Sequence, residues 1–109
     1  MDKNSKIIKY TLYIGLNDKD SKLQEISTID AYKLIVNICK SHKLDGFTIS
    51  EATGFYVHEN GEVVTEKSLR IEILFTTNEV IDAIIKDIKT ILNQESVVKQ
   101  VEEVTSELV

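Results

Sequence analysis

The stretch "GFTISEATGFYVHENGEVVTEKSLRIEILF", Gly46 to Phe75, decides how this chain folds. Phe47, Ile49 and Glu51 alternate with Thr48, Ser50 and Ala52, and Phe55 and Val57 resume the run beyond Gly54. After Asn60-Gly61, Val63 and Thr65 climb back, and Leu69, Ile71, Ile73 and Phe75 share a face opposite Arg70, Glu72 and Leu74. A period of two is the mark of a strand with one buried face. Asn-Gly between two such runs predicts a hairpin closed by a type I′ turn, which needs positive φ at both central residues. Gly54 reads as a bulge or a close backbone approach. The hairpin should carry core residues at its base and a more polar outer half.

Working outward, "KIIKYTLYIGLN" puts Ile8, Tyr10, Leu12, Ile14 and Leu16 on one face and Lys9, Thr11, Tyr13 and Gly15 on the other, a half-buried strand. Ser27 and Asp30 fit an acidic capping box, and Ala31, Leu34, Ile35, Ile38 and Cys39 then follow helical spacing, so a helix is expected from Thr28 to His42. Lys40, His42 and Lys43 suit the negative end of its dipole. In "TTNEVIDAIIKDIKTILN", Thr77 or Asn78 caps a second helix whose apolar face runs through Val80, Ile81, Ile84, Ile85, Ile88, Ile91 and Leu92. The last segment is ambiguous. Val97, Val101, Val104 and Leu108 allow a helix, but its β-branched content and the sheet edge left open without it favour a strand over Val97–Thr105.

The order is then βαββαβ, and residues 1–109 are expected to form one α+β ferredoxin-like domain: a four-stranded antiparallel sheet, two helices on one face and an extended hairpin between the second and third strands. The sheet's other face would hold Tyr13, Thr48, Ser50, Ala52, Leu74 and several valines. A face that apolar predicts self-association as a trimer or dimer.

A net charge of −5 argues against direct contact with nucleic acid and favours a basic protein partner, if the surface charge has one. No run is long enough to span a membrane, and "MDKNSKIIKY" has no apolar leader core, so a cytoplasmic protein is expected. Cys39 is the single cysteine and sits in a helical apolar pattern, as a buried structural thiol does. Glu51 would either turn outward at Gly54 or pair with Arg70 across the hairpin. His42 and His58 lie on different elements without a third ligand, and no G-x-G-x-x-G loop is present. The reading is of a protein without a catalytic, cofactor or metal site.

"GFTISEATGF", "LRIEILF" and "NEVIDAIIKDI" together resemble the PII signalling proteins and the wider PII-like superfamily. That resemblance implies a trimer with inward-facing sheets and effector clefts between subunits at the base of a long loop. Gly46, Phe47 and Thr48 would lie near a cleft, and Phe55–Lys67 would be a short equivalent of that loop. The phosphate-holding "TGDGKIF" segment of PII proteins is replaced by "NQESVVKQVEEV", and no tyrosine sits in "HENGEV". ATP and 2-oxoglutarate binding therefore do not carry over. The combination "YIGLNDKD…EIST…EA" is also similar to small uncharacterised proteins of phages and mobile elements in Gram-positive bacteria.

The expected function is a non-enzymatic regulatory or interaction protein that contacts its partner through Phe55, Tyr56, His58, Glu59, Asn60, Glu62, Glu66 and Lys67. A rigid scaffold with a protruding loop is a common way to build recognition. The alternative is an acidic phage inhibitor, of the anti-CRISPR kind, presenting Glu59, Glu62, Glu66, Glu102 and Glu103 to the basic groove of a nuclease.

Overall fold

A computed structural model describes residues 6–109. The elements run β1 (Lys6–Gly15), α1 (Thr28–Ser41), β2 (Phe47–Val57), β3 (Val63–Ile73), α2 (Asn78–Ile91) and β4 (Val98–Thr105). The strands form one antiparallel sheet in the order β2-β3-β1-β4, the α+β ferredoxin-like arrangement that the alternating runs imply. The last segment is a strand. It fills the edge beside β1, from Lys6 opposite Thr105 to Tyr13 opposite Val98.

Local chemistry sets the helix ends. Ser27 Oγ accepts from the Asp30 amide at 3.1 Å, and Thr77 Oγ1 accepts from the Val80 amide at 3.3 Å, so each hydroxyl satisfies a donor the first turn leaves free. Each helix stops at a residue in the left-handed region, Lys43 after α1 and Asn93 after α2. The amides that follow, those of Leu44 and Gln94, fold back to the carbonyls of Cys39 and Lys89.

The core lies between the helices and one sheet face. Leu12 and Ile14 of β1, Leu69, Ile71 and Ile73 of β3, Ile35 of α1 and Ile81, Ile84 and Ile88 of α2 are fully buried. Cys39 joins them, and burial pushes its thiol up to about 11, so it has no thiolate to offer at neutral pH. His42 at the end of α1 bonds Asp87 of α2 at 2.7 Å and ties the helices together. Among the described residues, no helix is long and apolar enough to cross a membrane.

Two local expectations change, and a third, for Glu51, is decided in favour of the outward alternative. Gly54 makes no bulge: the β2–β3 register passes unbroken through Thr53–Lys67, Gly54–Glu66 and Phe55–Thr65. Of the Asn60-Gly61 pair, only Gly61 has positive φ, at +86°. The tip is a five-residue loop in which Gly61 N–H donates to His58 O and His58 N–H to Glu62 O, while Asn60 Oδ1 accepts from the Glu62 amide. One left-handed glycine suffices there because the longer loop carries the reversal that a two-residue type I′ turn would have concentrated in two residues. Glu51 lies opposite Leu69 and is exposed, and Arg70 lies opposite Ser50 and turns to other partners.

The uncovered sheet face is not the apolar surface expected. Tyr13, Thr48, Ser50 and Ala52 do lie on it by register, with Val98 and Val104, and Leu74, just past β3, borders the same hollow as Thr48 and Val104. Its middle, however, is a ladder of alternating charge. Arg70 pairs with Glu72, Lys9 bridges to Glu72 at 3.7 Å and to Glu102 at 3.6 Å, and the Arg70 guanidinium stands 5.8 Å from the Tyr13 ring centroid.

Candidate functional site

The β1–β3 register runs to Gly15 opposite Ser68, one further backbone bond joins Leu16 N–H to Lys67 O at 3.0 Å, and from there the hairpin projects beyond β1. At this corner the uncovered face opens into a cavity of about 410 Å³ lined by Tyr13, Gly15, Asn17, Tyr56, His58 and Glu66, with the β1–α1 and α2–β4 loops as its wall. That volume lies within the range of small-molecule sites.

Glu66 is the central group. Its side chain folds back over β1, where Asn17 N–H donates to Oε2 at 2.9 Å. The carboxylate rests above Gly15, in the space a Cβ there would fill. Glycine at this position serves a close approach and not a turn.

The wall is pinned by two consecutive residues after α2. Gln94 is buried and donates through Nε2 to Asn17 O at 2.9 Å and to Leu92 O at 3.3 Å. Asn93 donates through Nδ2 to Asp18 Oδ1 at 2.8 Å and to Asp20 Oδ2 at 2.9 Å. The amides of Asp20 and Ser21 donate to Asp18 Oδ2. These donors, Asn93 first, hold the Asp18 carboxyl below its ordinary range. A lowered folded pKa stabilises above the unfolded value of 3.8, and that contribution is lost as pH falls through the folded value. The protection factors of the amides at residues 18–22, taken against the intrinsic exchange rate at each pH, should therefore fall on acidification below about pH 4. Asp18→Asn should abolish that pH response, and a wild-type loop that keeps its protection through the same range would contradict it.

On the opposite side Tyr56 and His58 meet edge to face, with ring centroids 5.4 Å apart. Tyr13 also lines the cavity, and its hydroxyl accepts from Arg70 Nε at 3.2 Å.

The residues singled out from the sequence thus divide. Tyr56, His58 and Glu66 meet in the cavity. Glu59, Asn60 and Glu62 sit at the hairpin tip, and Phe55 and Lys67 take the alternate face by strand parity. Gly46, Phe47 and Thr48 line a second hollow at the far end of the sheet, with Lys9 and Phe75. Of the five carboxylates expected to face a basic groove, Glu66 is held by Asn17, Glu102 by Lys9 and Glu103 by Lys6. Tyr13, Gly15, Asn17 and Gln94 went unrecognised as site residues. The bonds that place them, Asn17 to Glu66, Tyr13 to Arg70 and Gln94 to Asn17, span 49 to 77 residues of chain, which periodicity cannot reveal.

Residues 9–108 match the family described as "Protein of unknown function (DUF3574)", and the chain belongs to that family. No curated protein matches it. Among solved structures it is similar to a phage SAM lyase in complex with S-methyl-5′-thioadenosine, at 22% identity and a TM-score of 0.66, over 94% of this chain and 92% of that one. It is similar to the B. subtilis GlnK–ATP complex at 15% identity and a TM-score of 0.58, over 96% and 85% of the two chains. A putative PII-like signaling protein from Thermus thermophilus matches at 20% identity and a TM-score of 0.52, over 91% and 87%. The PII-like fold is therefore shared. The expectation of a protein without enzymatic activity is corrected: the phage SAM lyase is an enzyme built on this fold, so the fold itself is compatible with catalysis.

Proposed function

We propose that this protein binds adenosine-bearing small molecules at the Glu66 cavity and, as a homo-oligomer, cleaves an adenosyl sulfonium, releasing a thioadenosine. The observation that carries this reading is Glu66 itself. It is a carboxylate parked against a backbone amide above a glycine, in the wall of a cavity of ligand size that Tyr13, Tyr56 and His58 also line. The match to a lyase complexed with S-methyl-5′-thioadenosine along nearly the whole of both chains supports the ligand class.

The chemistry fits such a site. S-adenosylmethionine is a sulfonium cation. When its Cγ–S bond breaks, the bonding pair stays on sulfur, the charge disappears and neutral methylthioadenosine leaves. The four-carbon fragment closes its own carboxylate oxygen onto the γ-carbon as a lactone, or loses a β-proton to water and forms a Cβ–Cγ double bond. A carboxylate beside the sulfur would hold back a charge that is vanishing. Glu66 therefore acts better on the ribose diol, whose two hydroxyls a carboxylate accepts together and which is the same before and after cleavage. Tyr56 offers a ring face to the adenine.

A second reading keeps the ligand and drops the turnover: an adenine-nucleotide sensor, favoured by the likeness to the GlnK–ATP complex. One experiment separates the two. S-adenosylmethionine, methylthioadenosine and ATP are each titrated into the protein under thermal melting, and the S-adenosylmethionine sample is assayed for methylthioadenosine. A bound ligand at a hundredfold excess over Kd adds ~2.7 kcal/mol. Methylthioadenosine appearing with time supports the lyase. Stabilisation without product supports the sensor. No shift with any of the three overturns both.

A further inference from the structure

We propose that Tyr13, aimed by Arg70, reads the α-carboxylate of the amino-acid arm of an adenosyl ligand, and so distinguishes substrate from product; this rests on the adenosyl reading of the Glu66 cavity. Three observations carry it. Tyr13 lines the same cavity as Glu66. Its hydroxyl oxygen accepts from Arg70 Nε at 3.2 Å. Arg70 is fixed in turn by Glu72, which the Lys9–Glu102 pair braces from the far side.

A phenol has one hydrogen to give and lone pairs to receive. With a lone pair taken by Arg70, whose guanidinium has no acceptor, the phenolic hydrogen must point elsewhere, and the cavity is the open direction. The result is a donor oriented before any ligand arrives, backed by a positive charge. Such a donor suits an anionic acceptor, since hydrogen bonds to charged groups are the stronger ones.

Position selects which anion. The Glu66 carboxylate rests over Gly15, and Tyr13 stands two residues further along the same face of β1. That is one pleat repeat, ~7 Å. With the ribose on Glu66, the 5′-sulfur substituent extends toward Tyr13. In S-adenosylmethionine and S-adenosylhomocysteine that substituent ends in a carboxylate. In methylthioadenosine it is a methyl group.

The test uses S-adenosylhomocysteine and methylthioadenosine, two neutral thioethers that differ in this arm, titrated calorimetrically into wild type, Tyr13→Phe, Arg70→Met and the double variant. Tyr13→Phe should lose about tenfold in S-adenosylhomocysteine affinity and less than twofold in methylthioadenosine affinity. Arg70→Met should reproduce that selective loss, and the double variant should be no worse than either single one, because Arg70 acts through Tyr13. Equal losses for both ligands, or none for either, overturn the assignment while the cavity reading stands. Additive losses in the double variant overturn the part given to Arg70. A folded wild type that binds neither ligand overturns the cavity reading and this inference together.

Discussion

Glu66→Gln will lower the affinity for methylthioadenosine by about 10- to 100-fold, the ~1.5–3 kcal/mol that a charge-assisted hydrogen bond contributes. The substitution keeps the size of the side chain and its acceptor toward Asn17 N–H, so the thermal midpoint of the free protein should stay near that of wild type. Gly15→Ala approaches the same group from the other strand. A Cβ on Gly15 falls on the Glu66 carboxylate, and the cheapest relief is for that flexible end to swing away from Asn17. Its backbone conformation is ordinary for a strand, so alanine brings no strain of its own. The two variants should thus lose binding alike while both remain folded. Isothermal titration of both, with melting curves alongside, measures it. Unchanged affinity in Glu66→Gln would remove Glu66 from the ligand. Unchanged affinity in Gly15→Ala alone would mean that the bound carboxylate has already left Gly15.

Most of the fold was legible because its signals are local. Leu69, Ile71 and Ile73 alternate, Ile81, Ile84 and Ile88 recur at helical spacing, and Ser27 and Thr77 cap where their hydroxyls suggest. The final strand was harder. Val101 and Val104 stand three apart, a helical spacing that puts them on opposite faces of the strand, and the edge beside β1 settles the matter only once the strand order is known. The site was legible in part. Glu66, Tyr56 and His58 lie in the stretch that stands out, but the reading placed them on a contact loop and not in a cavity. What makes them a cavity is long-range: Asn17 reaching Glu66, and Gln94 reaching Asn17. The charge on the outer face was misjudged for a related reason. Alternation assigns Arg70 and Glu72 to that face, yet only the register of β3 against β1 and of β1 against β4 lines them up with Lys9 and Glu102.

The same boundary predicts a large contrast between two apolar residues. Leu12→Ala should destabilise by about 2–5 kcal/mol, because the side chain is fully enclosed by the helices and the neighbouring strands, which leave the truncated site a cavity. At roughly 4–8 °C per kcal/mol for a small domain, the midpoint should fall by at least ten degrees or so. Phe55 is also apolar and also lies in a strand, but it is 69% exposed and sits past the Gly15–Ser68 row where the helix-backed sheet ends. Phe55→Ser should change the stability of a dilute subunit by no more than about 0.5 kcal/mol. The comparison is made by urea unfolding at several protein concentrations. If Phe55→Ser were as costly as Leu12→Ala, and more so at high concentration, then the outer hairpin would be buried against a second copy. Its exposed apolar pair, Phe55 and Val63, would belong to an assembly core. If its cost stays small at every concentration, the hairpin is free, and any homo-oligomer must form through the charged face of the sheet, where Lys9, Arg70, Glu72 and Glu102 would then be enclosed as complete pairs.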